Sequence, residues 1–222
     1  MLEAITDTFE VMRDAMPVLM KGLQMTVLIT IISLLIALVI GLVFGLFSIS
    51  KNKVLRAIST VYVNIIRGTP ILVQILYIYI GIPAVTDLRF SAFAAGVIVI
   101  SINAGAYLVE IFRAGINSID KGQMEAGRTL GFSYGETMRI IILPQAIKRM
   151  LPAFVNQFIV SIKDTSLLSV IGIGELLMSG QSIYSANFKA FEILTLVGIL
   201  YFIIIYTLTL FSRWLERRMD VS

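Results

Sequence analysis

Five apolar runs, each too long for any element of a soluble core, constrain this chain more than any other feature. They cover roughly 18–50, 54–82, 91–112, 150–177 and 190–212. A helix needs about 20 apolar residues to cross a bilayer's hydrocarbon, so each run spans it with some tilt. Only 14% of the 222 residues are charged and 58% are hydrophobic, where a soluble domain carries about a quarter charged residues. The fold class that follows is all-α: a polytopic membrane helical bundle with five transmembrane helices.

Basic residues give the orientation. Lys51, Lys53 and Arg56 follow the first run. Arg113, Lys121, Arg128, Arg139, Lys148 and Arg149 lie in or beside the third connection, and Arg213, Arg217 and Arg218 close the chain. Five crossings put all three groups on one side, and the positive-inside rule makes that side cytoplasmic. Arg13, Lys21, Arg89 and Lys189 fall on the other side. The N-terminus is expected outside and the C-terminus inside. Trp214, Tyr201, Tyr206 and Phe211 suit the interfacial ends of the last span.

The chain is expected to divide at residue 17. Residues 1–17 carry Leu2, Ile5, Phe9, Met12 and Met16 at helical spacing, with Glu3, Asp7, Glu10 and Asp14 elsewhere around the wheel. This extracytoplasmic amphipathic segment either lies on the outer membrane surface or leads into the first span as an ordinary helix. It has no basic n-region, so no cleavable signal peptide is expected. Residues 18–222 form the transmembrane domain. The absence of cysteine and histidine excludes disulfides, thiolate chemistry, and histidine bases or metal ligands.

The connection at about 113–149 is too polar for lipid. Glu125 to Leu130 predicts a short helix capped by a left-handed Gly131. Ser133 and Glu136 form the capping-box pattern of a second helix, which Pro144 ends or kinks; Pro152 lies near the start of the fourth span. Small residues at the tip, Ala126, Gly127 and Gly131, let another surface approach closely. Shape alone also fits a plain connecting loop.

Glu125-Ala126-Gly127, then Gly131, Ile141 and Leu143-Pro144, resemble the "EAA" loop of bacterial ABC-importer permeases. Gly127 departs from the usual alanine, a small-for-small change. Arg67–Pro70 (RGTP) with Leu72-Val73-Gln74, and Lys163–Leu167 (KDTSL), look like the polar amino-acid branch, which includes histidine, glutamine and arginine importers. The resemblance covers nearly the whole chain and implies a type I ABC importer permease fold. It implies a coupling helix, with Glu125, Ala126, Gly127 and Gly131 docking an ATPase subunit. It also implies two ATPase subunits that bind ATP and Mg, a second permease that is a copy or a homologue, and an extracytoplasmic substrate-binding protein. The implied location is the bacterial cytoplasmic membrane, surrounded by lipid, with no nucleic-acid partner.

Polar groups inside spans need a reason, because hydrocarbon penalises them. Asn64, Arg67, Ile71 and Gln74 share a helical face, as do Asn103, Tyr107 and Glu110, and Gln157, Ser161 and Asp164. Gly68-Thr69-Pro70 is expected to kink the second span, and the stretch after Asp164 to loosen before Gly172 and Gly174. Backbone groups freed there suit a zwitterion. Asp164 is the natural partner of an ammonium, and the Thr165 and Ser166 hydroxyls suit a carboxylate. Asn103, Tyr107 and Gln157 complete the candidate substrate set. A structural reading pairs Arg67 with Glu110 and gives Asp164 a packing partner. Lys163 is expected against a neighbouring helix or the partner.

No phosphate-cradling loop, nucleophile–base pair or metal cluster is visible in the sequence, so the chain itself is not expected to be an enzyme or to hold a cofactor. An ion-coupled secondary transporter predicts an inverted repeat and its own ion site, and neither is visible. A membrane scaffold has no need of polar stripes in three spans.

Overall fold

The computed structural model describes the backbone of residues 2–218 and the side chains of residues 10–218. Ten α-helices appear among them: α1 Leu2–Ser48, α2 Lys53–Arg67, α3 Ile71–Leu76, α4 Ile82–Val85, α5 Ala92–Asn117, α6 Lys121–Thr129, α7 Tyr134–Thr137, α8 Leu143–Asp164, α9 Leu176–Asn187 and α10 Ala190–Arg218. No strand occurs among the described residues. Four helical stretches are long and apolar enough to cross a membrane: Glu10–Ser48, Ala92–Asn117, Tyr134–Ile171 and Ala190–Arg218. Lys53–Arg67 and Ile71–Val85 meet the same test only as a pair, bent by 100° at their junction, which brings the candidate spans to between four and five.

α1 runs without interruption past Pro17. Ala15 and Leu19 are buried against Leu176 of α9 and Ile193, Leu196 and Val197 of α10, with Val11 and Met12 packed on the same cluster. The side chains of Leu2, Ile5 and Phe9, expected on the apolar stripe, lie outside the described residues. The long central contact joins α1 to α5. A Cβ on Gly41 would meet Leu108 at 2.6 Å, and one on Gly105 would meet Ile40 at 2.8 Å. Glycine is what lets these two backbones approach, as small residues do between membrane helices. Around this pair, Ile29, Ile75, Ala95, Ile100, Leu168 and Ile171 form the largest core cluster.

The second span breaks at Gly68-Thr69-Pro70, as the sequence predicts, but the bend is too sharp for one polar face to continue across it. Asn64 and Arg67 therefore belong to a different face from Gln74. The fourth span starts earlier than expected. Pro144 does not end the helix that Ser133 opens. A π-turn at Met138–Ile142 leads into α8, and Pro144 sits in its first turn, where a missing N–H is tolerated. Beyond Asp164 the helix tightens into a 3₁₀ segment, Thr165–Ile171, which ends on left-handed Gly172 (φ 80°). α9 had no counterpart in the sequence reading. Tyr201 is also corrected: it lies partway along α10, half-buried, and its hydroxyl donates to Glu175 Oε2 at 2.9 Å. A hydroxyl at the membrane surface meets water, whereas this one meets a buried acid.

Candidate functional site

The knuckle of α6 and α7 forms from local signals. Asp120 caps α6, accepting Gly122 N at 2.7 Å. The helix closes at Leu130, and Gly131 turns the chain with φ 90°, a conformation that strains any residue bearing a Cβ. Ser133 Oγ then accepts Glu136 N at 3.2 Å while Ser133 N donates to Glu136 Oε2 at 2.7 Å. Glu125, Ala126 and Gly131 are exposed, and Leu130 beside them is 76% exposed. Gly127 instead turns inward and is buried. A Cβ there would meet Thr137 Cγ2 at 2.5 Å and Ile141 Cδ1 at 3.2 Å. Thr137 on the facing turn gives the glycine a packing reason.

The polar stripe of α5 faces the broken span. Asn103, buried, donates through Nδ2 to Gln74 Oε1 at 3.2 Å. Gln74 Nε2 in turn donates to the carbonyls of Ile66 (2.8 Å) and Thr69 (3.0 Å) and to Thr69 Oγ1 (2.8 Å). Both of those carbonyls lie at the break, so they are already satisfied. A side-chain amide from the next turn thus meets two of the backbone carbonyls at this break. One turn along, the Tyr107 ring lies 5.1 Å from the Arg67 guanidinium carbon. Glu110 Oε2 lies 3.9 Å from Arg67 Nη1 and 2.7 Å from Arg113 Nη2.

Two cavities flank this ion pair. One, of about 640 Å³, includes Arg56, Ser59, Asn64 and Arg113 in its wall. The other, of about 600 Å³, includes Tyr107, Asn156 and Gln157. Tyr107 and Gln157 are thus brought together, with Arg67 and Glu110 at their side. Gln157 is buried, and its Nε2 reaches Ser161 Oγ at 3.5 Å. Asp164, Thr165 and Ser166 do not line either cavity. The Asp164 carboxylate is half-buried and accepts no hydrogen bond from the described residues, while Lys163 beside it is exposed. Thr165 is fully buried and its hydroxyl donates to Ile162 O at 2.7 Å; the Ser166 hydroxyl donates to Lys163 O at 2.6 Å.

Sequence reasoning missed Glu175. It is fully buried and opens α9, accepting Leu177 N at 2.9 Å and Met178 N at 2.7 Å as well as the Tyr201 hydroxyl. Next to it, Leu176 N donates to Thr26 Oγ1 at 3.2 Å. An acidic residue just before Leu176-Leu177-Met178 was the available signal, since aspartate and glutamate favour helix starts.

Known proteins resemble this chain along almost its full length. The family model described as "Binding-protein-dependent transport system inner membrane component" matches residues 37–221. The glutamine transport system permease protein GlnP of Escherichia coli (strain K12) is 47% identical over 208 residues, 93% of this chain and 95% of that protein. The arginine transport system permease protein ArtQ of Bacillus subtilis (strain 168) is 36% identical over 203 residues, 91% of this chain and 93% of that one. A crystal structure of an amino acid ABC transporter with histidines superposes with TM-score 0.90 at 39% identity, covering 93% of this chain and 96% of the other. An inward-facing methionine ABC transporter, MetNI, shares the fold at TM-score 0.75 and 20% identity, covering 92% and 97% of the two chains. With the bent helix pair and the knuckle in place, these likenesses make the chain a member of the binding-protein-dependent transport system inner membrane component family.

Proposed function

We propose that this chain, the permease subunit of an amino-acid ABC importer, takes a polar amino acid inward through conformational changes driven by separate ATPase subunits. The observation that carries this reading is the knuckle. Its α6–Gly131–α7 geometry presents Glu125, Ala126, Leu130 and Gly131 outward from a rigid, capped turn. Two ATPase subunits that bind ATP and Mg would each dock one knuckle. A second permease, this chain or a homologue, completes the pathway, and an extracytoplasmic binding protein delivers the cargo. The N-terminus faces outward and the C-terminus inward, as the basic-residue pattern supports.

Within the membrane the proposed substrate set is Asp164, with Thr165 and Ser166 beside it, and Asn103, Tyr107 and Gln157. Asp164 supports this best, because a half-buried carboxylate without a hydrogen-bond donor suits an ammonium group. Asn103 retains its side-chain oxygen as an acceptor, since its nitrogen serves Gln74. The knuckle's role is tested by copurification. Wild-type chain is expected to elute with its ATPase subunit, and Glu125→Lys to weaken that association about tenfold or more while leaving membrane insertion intact. Undiminished copurification by both Glu125→Lys and Gly131→Asp would remove the docking role.

A further inference from the structure

We propose that Arg67 receives the substrate's carboxylate, giving up its loose contact with Glu110 to do so. This deepens the reading that the permease itself holds its amino acid, and it rests on that reading. Arg67 and Glu110 are the two described residues that line both cavities. They form the partition between a basic chamber walled by α2, α5, the α1–α2 connection and the α7 turn, and a chamber walled mainly by α5 and α8.

The partition is asymmetric. Arg113 already engages both oxygens of Glu110, at 2.7 and 3.3 Å. Arg67 stands 3.9 Å away, beyond hydrogen-bond reach, and donates no hydrogen bond among the described residues. Its guanidinium is held in place by the Tyr107 ring. Arg67 is the last residue of α2, immediately before the break that Gln74 closes. The base of the side chain is therefore fixed while its donors stay unused. Its side chain is 43% exposed in the isolated chain.

Charge points to the ligand. Among the described residues Glu110 is the sole acid lining either cavity, against Arg56, Arg67 and Arg113 in one and Arg67 and Arg149 in the other. Arg149 is occupied, donating to the Ser118 carbonyl. An excess of positive charge with a free planar fork fits a carboxylate, which a guanidinium binds through two parallel hydrogen bonds. Both chambers fall within the roughly 300–1,000 Å³ range of small-molecule sites.

The test uses the assembled transporter, permease with its ATPase subunits, purified in nanodiscs. Calorimetry measures binding of L-glutamine and L-arginine and of their α-carboxamides, which keep the ammonium but lack the carboxylate. Wild type is expected to prefer the bound acid over its amide by about 10- to 100-fold, the range of a charge-assisted hydrogen bond. Arg67→Gln should abolish that preference by weakening acid binding alone. Arg67→Lys, which keeps the charge but not the fork, should lose part of it. Glu110→Gln should tighten acid binding several-fold, because it removes the competing carboxylate. A purely structural pair predicts that all three variants weaken acid and amide alike, and that result overturns the assignment, as does full preference retained in Arg67→Gln. A wild-type complex that binds neither form removes the membrane site itself, and with it this role for Arg67.

Discussion

Two glutamates each serve the first turn of a helix, and they do so in opposite surroundings. Glu136 belongs to the exposed knuckle, where it and Ser133 exchange hydrogen bonds across three residues. Glu175 is fully buried and takes bonds from two backbone N–H groups of its own helix and from Tyr201, 26 residues away. The chemistry is the same, a carboxylate meeting unpaired donors at a helix start. The surroundings decide what each bond is worth. Water replaces a lost bond at the knuckle, whereas nothing replaces one inside the bundle.

The largest effect should therefore come from Glu175→Ala. It leaves two part-buried N–H groups and one part-buried hydroxyl without acceptors, a loss of about 3 kcal/mol. The Tyr201→Phe change removes one interhelical bond, worth about 0.6 to 1.7 kcal/mol in membrane proteins. Denaturation in mixed micelles measures both. If Glu175→Ala costs no more than Tyr201→Phe, the backbone donors of α9 have another route to satisfaction, and the buried side of the comparison fails.

The same contrast explains what the sequence disclosed. The knuckle was legible because each of its signals lies within a few residues: Ser133 with Glu136, Gly131 after Leu130. The five crossings were legible from run length, and the α5 stripe from its period, since Asn103, Tyr107 and Glu110 all meet residues of the broken span. Long-range choices were not legible. Helical spacing puts Gln74 on one face with Asn64 and Arg67, but the break turns it to the Ile66 and Thr69 carbonyls. Tyr201 was assigned to an interface because nothing near it in sequence reveals Glu175. Pro144 signals either an end or a kink, and the preceding π-turn that carries the chain through it is not encoded locally. The cavities that join Tyr107 to Gln157 arise from three helices meeting, which no single periodicity encodes.

A smaller effect is expected at the inward side of the knuckle. Gly127→Ala gains helix propensity but drives a methyl against Thr137. Overpacking of this kind costs about 1–3 kcal/mol, and the propensity gain offsets roughly 0.5–1 of it. The net loss should be about 1 kcal/mol. Thr137→Ser removes Cγ2, the closer of the two Thr137 atoms that crowd the methyl, and keeps Oγ1, 2.9 Å from the methyl position, whose hydroxyl donates to Ser133 O at 3.0 Å. The double variant should recover part of the loss in thermal unfolding, with Oγ1 and Ile141 still close to the methyl. An additive double variant would show that Thr137 is not what selects glycine at this position.

Ser133→Ala should have the smallest effect. It removes the oxygen that accepts Glu136 N but leaves the reciprocal bond from Ser133 N to Glu136. The freed N–H is exposed and can bind water, so the cost is about 1 kcal/mol, the usual figure for a helix cap. In a chain of this length that corresponds to a shift of about 2–4 °C. Ser133→Asp supplies another cap acceptor and places negative charge at the start of α7, so it should return to near wild type. Because the knuckle is the proposed docking element, association with the ATPase subunit should be measured on the same preparations. Loss of association with a small thermal shift would mean that the cap sets the docking geometry more than the stability of the fold. A thermal loss as large as that of Glu175→Ala would instead show that the exposed and buried helix starts form one cooperative unit, and the contrast drawn between them would not hold.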